Sequence, residues 1–319
     1  MNSFITRTIS GAVYVALMVG TIYSGRMLEN TLYGTLIAAV VFMAIGLIGT
    51  SEVIRNLAKK GVTVSRGTTF VVASLTYITV CLAYVTGYME IGLALPAIWL
   101  VAFLVQLWRN DEAPFACIGY TLLPSLWVMV PLALIPFITS ISEGLIMMIF
   151  ILIWVNDSFA YMSGRLLGKH KMWERHSPNK TWEGTIGGAL FCIVAAVLVG
   201  PLFDREGLLM FGVVEWVIIA LICSIIGTLG DLVESMFKRY CGVKDSGNIM
   251  PGHGGVLDRF DSILATVPVI VAYISILNIS FQIVYNISLL KESKKLVERC
   301  IFTKKDTDYY SACWRYLWH

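Results

Sequence analysis

Nine apolar stretches follow one another along this chain, near residues 10–24, 31–50, 69–88, 91–107, 120–138, 144–164, 184–203, 213–232 and 262–289, with short polar breaks between them. About 20 apolar residues suffice for a helix to cross the hydrocarbon core of a bilayer. The rest of the composition agrees: 57% of the 319 residues are hydrophobic, 14% are charged, and the mean hydropathy is +0.75. That much apolar surface does not fit inside one water-soluble globule, so the membrane is the expected solvent. The expected fold is all-α, a polytopic integral membrane protein with about nine transmembrane helices. The first run lacks an A-x-A-like cleavage site and is followed by further spans, so it reads as a retained helix.

Loop charges orient the array. With nine spans, fifteen Lys and Arg fall on the side of the N-terminus, the loops of the other side hold only Arg26 and Arg205, and the odd count also puts the seven Lys and Arg of 290–319 on that other side, against the pattern. The positive-inside rule makes the first side cytoplasmic, so the polar loops 165–183 and 233–261 face the compartment that holds nucleotides. The net charge of +3 is too small to point to nucleic acid, and seven cysteines without a CxxC pair read as small core residues. Three regions are expected: scaffold helices over 1–140, a catalytic region with cytoplasmic loops over 141–289, and a basic tail over 290–319 with no functional reading.

The C-terminal half differs in carrying acids at the edges of its spans, where a carboxylate at helix-centre depth costs about 2.5–3.5 kcal/mol or more and therefore faces a polar cavity. Asp157 follows one apolar run, Asp231 and Glu234 another, and Asp258 and Asp261 precede the last. In "GDLVESMFKR", Asp231, Glu234, Ser235 and Lys238 share one helical face; a plain Glu234–Lys238 salt bridge accounts for part of that pattern, but not for Asp231. In "KDSGNIMPGHGGVLDRFD", glycines and Pro251 prevent a regular helix and let backbone amides approach a ligand, with Lys244 near enough to help hold phosphate. Asp258 or Asp261 can cap the following helix, or the pair can supply the hard oxygens that suit Mg²⁺. The third segment, 156–188, is basic through Arg165, Lys169, Lys171, Arg175 and Lys180, and "SPNKTWEG" presents Lys180 beside Ser177 and Thr181. Together these features point to phosphoryl or nucleotidyl transfer at a membrane surface, without the GxxxxGK[ST] loop of soluble ATPases.

The stretch "SMFKRYCGVKDSGNIMPGHGGVLDRFD", residues 235–261, closely resembles the signature of the phosphatidate cytidylyltransferase (CDP-diacylglycerol synthase) family, through Ser235, Lys238, Arg239, Lys244, Asp245, His253, Gly254, Gly255, Asp258, Arg259 and Asp261. "GRLLGKHK" and "SPNKTWEGTIGG" resemble the segment that precedes it. The resemblance implies a polytopic enzyme of the bacterial inner (plasma) membrane, its active site facing the cytoplasm, that uses CTP and phosphatidic acid. It also implies Mg²⁺ around the carboxylates matching Asp231 and Asp258, with K⁺ as a second ion; a homodimer is a further expectation. Asp231, Asp258, Lys238, Arg239 and Lys244 are then the expected catalytic groups. Arg165, Lys169, Ser177, Lys180, Thr181, Asp245, His253, Gly254, Gly255 and Arg259 are expected to bind substrate, and Asp231, Asp258, Asp261 and Asp157 to hold metal. Asn179 stands where the family often has Lys, and the tail beyond about residue 283 exceeds the family pattern. Two other readings are a CTP-dependent polyprenol kinase, which the completeness of the signature opposes, and a secondary transporter, which acids gathered at one membrane edge oppose.

Overall fold

The computed structural model describes residues 3–203, 211–250, 252 and 254–277. The chain divides into two compact units, Met1–Val271 and Ala272–His319; the candidate site belongs to the first, and of the second the described residues 272–277 are helical. The basic tail at 290–319 and the end of the run expected at 262–289 lie outside the described residues.

Helix α1 (Ser3–Ile22) comes first, and its apolar part, Thr6–Ile22, is short. Eight helices among the described residues are long and apolar enough to cross a membrane. They are α2 (Thr31–Lys59), α3 (Arg66–Thr86), α4 (Met89–Leu107), α5 (Pro114–Ile141), α6 (Glu143–Leu167), α7 (Trp182–Phe203), α8 (Val213–Tyr240) and α9 (Leu257–Leu277). The protein is thus an all-α polytopic membrane protein; of the nine spans expected, eight among the described residues reach that length and the first corresponds to the shorter α1. Between α6 and α7 lies a small antiparallel hairpin, β1 (Lys171–Trp173) and β2 (Ser177–Thr181).

Helix length determines where the charges sit. Helices α2 and α8 have 29 and 28 residues; at about 1.5 Å per residue each exceeds the roughly 30 Å hydrocarbon core by some two turns. The apolar runs expected to stop at 50 and 232 therefore continue as helix, because a charged continuation remains a good helix once it leaves the lipid. Those extra turns carry Glu52, Arg55 and Asn56 on α2, and Glu234, Lys238 and Arg239 on α8. In α5, Pro124 has no N–H to give, and the helix slips into a π turn over Ser125–Met129 before resuming. Polar side chains fix several helix starts: Asn30 Oδ1 accepts from Tyr33 N at 3.2 Å, and Ser142 Oγ accepts from Leu145 N at 3.2 Å.

Helices α6, α7 and α8 pack against one another, with α7 on α6 at backbone contact. A Cβ on Gly184 would stand 2.7 Å from the carbonyl oxygen of Ala160, and one on Gly188 2.7 Å from that of Asn156. This is the close small-residue packing that their i,i+4 spacing predicts. It brings the hairpin, which leads directly into α7, beside the C-terminal turns of α8.

Candidate active site at one end of the helix array

Asp231 and Glu234 lie one turn apart on α8, and Asp261 lies in the second turn of α9. One oxygen from each of the three carboxylates is within 4.8 Å of the others. Glu234 is fully buried; Lys238, a turn further on, pairs with its Oε2, while Oε1 has no hydrogen-bonding partner. A buried carboxylate oxygen with nothing to accept from is costly, and a cation is what would satisfy it. Three convergent carboxylates, one of them with an oxygen left unpaired, fit a divalent metal. Asp231 and Asp261 were expected in this role; Glu234, read as a salt-bridge partner, was not. Asp258 and Asp157, both expected as ligands, stand outside the trio.

Lys180 joins the hairpin to this cluster. Its Nζ is 2.6 Å from Asp231 Oδ2 and donates to the Thr228 carbonyl at 3.2 Å, while Ser235 Oγ donates to Asp231 Oδ1 at 3.3 Å. The segment that leads into β1, the partner of the strand that carries Lys180, is held by Glu183, in the first turn of α7. That carboxylate accepts from Lys169 N and His170 N, each at 3.2 Å, and meets His170 Nδ1 at 2.5 Å. Thr181 is buried, and its hydroxyl accepts from Gly184 N at 3.2 Å. Its hydroxyl thus caps the start of α7.

The glycine-rich loop is organised by two carboxylates. Asp258 Oδ2 accepts from Ser246 N at 2.9 Å, Ser246 Oγ at 2.8 Å and Gly255 N at 2.7 Å, and Oδ1 accepts from Lys238 Nζ at 2.8 Å. Glu52, 1% exposed, reaches the same loop from α2. It accepts from Val256 N and Leu257 N, both at 3.0 Å, and from Ser246 Oγ at 3.2 Å. Asn56, one turn later, donates to the Ser246 carbonyl at 2.8 Å. The amides that begin α9 are thus satisfied by acids, as the positive end of a helix favours. Of the amides expected to cradle phosphate, those of 246, 255, 256 and 257 are engaged by Asp258 and Glu52. Glycine is needed for this closeness. Gly254 has φ +83°, and a Cβ there would meet the Asp258 carboxylate; one on Gly255 would collide with Ser246 Oγ and Glu52.

The remaining expected residues divide by position. Asp157, Asp258, Arg259 and Asp261 line one cavity of about 360 Å³, together with Ser10, Tyr14 and Val15 of α1 and Ile153 and Trp154 of α6. Arg165, Lys169, Arg239, Lys244 and Asp245 are exposed, and none forms an ion pair among the described residues. Ser177 pairs with Trp173 in the hairpin, and His253 lies outside the described residues. Burial pushes the thiol of Cys241 up from its ordinary range, with Lys60 and Lys59 opposing, so it enters the loop as a neutral packing group. The cysteines Cys81, Cys117, Cys192, Cys223 and Cys241 are all buried and free, as read.

Known proteins resemble this chain in sequence. The phosphatidate cytidylyltransferase of Staphylococcus saprophyticus is 51% identical over 133 residues, 40% of this chain and 49% of that protein. Those of Staphylococcus aureus and Staphylococcus haemolyticus are 50% and 47% identical over the same length and shares. The chain spans about half the length of the curated relatives it matches. The model of the cytidylyltransferase family matches residues 5–277, from α1 through the acid trio to the end of α9. A match that takes in every described membrane helix, and both acid-bearing segments of the site, places this chain in the cytidylyltransferase family.

Proposed function

We propose that the protein is a phosphatidate cytidylyltransferase, which transfers CMP from CTP to phosphatidic acid and yields CDP-diacylglycerol and pyrophosphate. The observation that carries this reading is the trio Asp231, Glu234 and Asp261, set between Lys180 and Lys238 and beside a cavity with both polar and apolar walls. The relatives at about 50% identity, named for this activity, support it.

A phosphate oxygen of phosphatidate attacks the α-phosphorus of CTP; the new P–O bond forms as the bond from that phosphorus to the bridging oxygen breaks, and pyrophosphate leaves. The nucleophile is anionic at neutral pH, so no strong general base is required. Positioning and charge neutralisation therefore carry the catalysis. A divalent cation held by Asp231, Glu234 and Asp261, Mg²⁺ by the hardness of the donors, supplies neutralisation of phosphate charge when bound. Lys180 exchanges its carboxylate partner for a phosphate oxygen of the nucleotide, and Lys244 and Arg239 offer further exposed cations along the approach. Lys238 keeps the Glu234 and Asp258 carboxylates together, and Asp258 keeps the loop closed over the start of α9. The excess of Lys and Arg on the loops of this end supports a cytoplasmic site in a bacterial inner membrane.

Incubating purified protein with CTP, phosphatidate and Mg²⁺ tests the reading. CDP-diacylglycerol and pyrophosphate in equal amounts are expected. Release of CDP with phosphorylation of a lipid alcohol would instead make the protein a kinase, and no turnover of phosphatidate would refute the assignment. Within the same assay, Lys180→Ala should raise the KM for CTP about tenfold, the loss of one charge-assisted hydrogen bond. An unchanged KM would return Lys180 to a structural tie between the hairpin and α8.

A further inference from the structure

The hairpin between α6 and α7 lies against the side of α7. Trp182 N, at the first residue of α7, donates to the His170 carbonyl at 3.0 Å, and Thr185 Oγ1 donates to Met172 Sδ at 3.5 Å. Thr185 closes the first turn of α7, about 5 Å along the helix axis from Trp182. From Gly184 to Phe203 that helix carries no charged residue. Strand β1 is therefore level with the start of an apolar span. The polar layer of each leaflet is roughly 5–8 Å deep beyond the hydrocarbon, and β1 stands at that height.

The side chains shown there suit the boundary between lipid and water. Met172 turns toward α7, and strand alternation puts Lys171 and Trp173 on the other face. Trp173 is 55% exposed, with His176 stacked on it at 6.4 Å between ring centroids. Trp182 is 52% exposed and heads a stripe of α7 that continues at helical spacing through Ile186 and Leu190, 58% and 59% exposed. Where α6 leads into the hairpin, Leu166 and Leu167 are exposed as well. Large apolar side chains left open along a membrane span face lipid, and Trp, with an apolar ring and one N–H, is the residue that collects at the interface. Around these indoles Lys169, Lys171 and Arg175 are exposed and form no ion pair among the described residues. Glu174 is the single acid between 168 and 182. Uncompensated cations beside open indoles complement a layer of lipid carbonyls and anionic phosphates.

We propose that the β1–β2 hairpin docks on the bilayer that the chain spans, with Trp173 and Trp182 in the headgroup layer and Lys169, Lys171 and Arg175 on the phosphates of anionic lipids. The lipids act here as a surface, neither as substrate nor as product, and the docking stands whether or not the protein transfers CMP. Its connection to the acid trio is β2, whose Lys180 pairs with Asp231 on α8.

Tryptophan fluorescence in nanodiscs tests the docking. The emission lost on Trp173→Phe isolates that indole from the rest of the nine tryptophans. Lipid brominated near the top of its acyl chains, either phosphatidylcholine or phosphatidylglycerol, is mixed into unbrominated phosphatidylcholine, and acrylamide serves as the quencher in water. Brominated lipid should quench most of the Trp173 emission, and acrylamide little of it. Brominated phosphatidylglycerol should reach half-quenching at about one-fifth the mole fraction of brominated phosphatidylcholine, the preference that one Lys or Arg confers near an anionic surface. Lys171→Gln combined with Arg175→Gln should abolish that preference and keep the quenching. Trp182→Phe, read in the same way, decides the matter if Trp173→Phe does not fold. Quenching by acrylamide without quenching by lipid would place the hairpin in water and overturn the proposal. Protection from both quenchers would overturn it too, because the indole would then be covered by protein, such as a second copy of the chain. Equal quenching by the two headgroups would overturn the assignment of the three cations to lipid phosphates.

Discussion

Asp261→Asn and Asp231→Asn should each lower CMP transfer by about 10³-fold, the upper end of what removing one preorganised charge-stabilising group costs. The expectation follows from geometry: with one oxygen of each acid within 4.8 Å of the others, Asp231, Glu234 and Asp261 already form a cation-sized gathering of hard donors. Asparagine keeps the shape and one oxygen but brings a neutral amide, whose NH₂ turns a donor toward the cation's place. The effect must also appear without turnover. Calorimetric titration with Mg²⁺ or Mn²⁺ should show binding to the wild type and at least tenfold weaker binding to either variant. Asp231→Asn additionally releases Lys180, so its KM for CTP is free to move, whereas that of Asp261→Asn should stay near the wild type. Activity within a few-fold of wild type across the Mg²⁺ titration would mean that the trio is an ordinary buried acid cluster.

The part of this site that could be read in the chain is the part held together locally. The i,i+3,i+7 placement of Asp231, Glu234 and Lys238 on one helical face is a matter of counting, and the polar loop before α9 stands out against apolar neighbours. What could not be read is pairing across long sequence distance. Glu52 sits in "TSEVIRNLAKK", where an acid among bases at the end of a span looks like solvated anchoring charge. Its partners, Val256 and Leu257, lie 204 and 205 residues further on. The glycines were read as room for a ligand, and beside Gly254 and Gly255 that room holds the carboxylates of Asp258 and Glu52. The role of Glu234 likewise needed the fold, because its spacing to Lys238 explains one oxygen and says nothing of the other.

Glu52→Gln is the sharper test of this architecture, because it lies in the half of the chain that reads as scaffold. The wild-type carboxylate accepts two backbone amides and a serine hydroxyl while 1% exposed. Glutamine has the same length but a single acceptor oxygen, and its NH₂ must face donors. At least one amide at the start of α9 is left without a partner, at about 1–3 kcal/mol for each buried group stranded. The loss also removes negative charge from the positive end of α9. Two consequences should separate. The amides of Val256 and Leu257 should lose protection from hydrogen exchange, while those in the middle of α2 keep theirs. CMP transfer should fall about 100-fold, mainly in kcat, because Ser246 and Gly255 no longer hold Asp258, and through Lys238 the Glu234 carboxylate, in register with Asp261. Glu52→Asp retains the charge but is one methylene short, so it should recover part of the activity and part of the protection together. Wild-type exchange at 256 and 257 with wild-type kcat would show that the loop is positioned without Glu52. Lost protection with unchanged kcat would show that the helix start is independent of the chemistry.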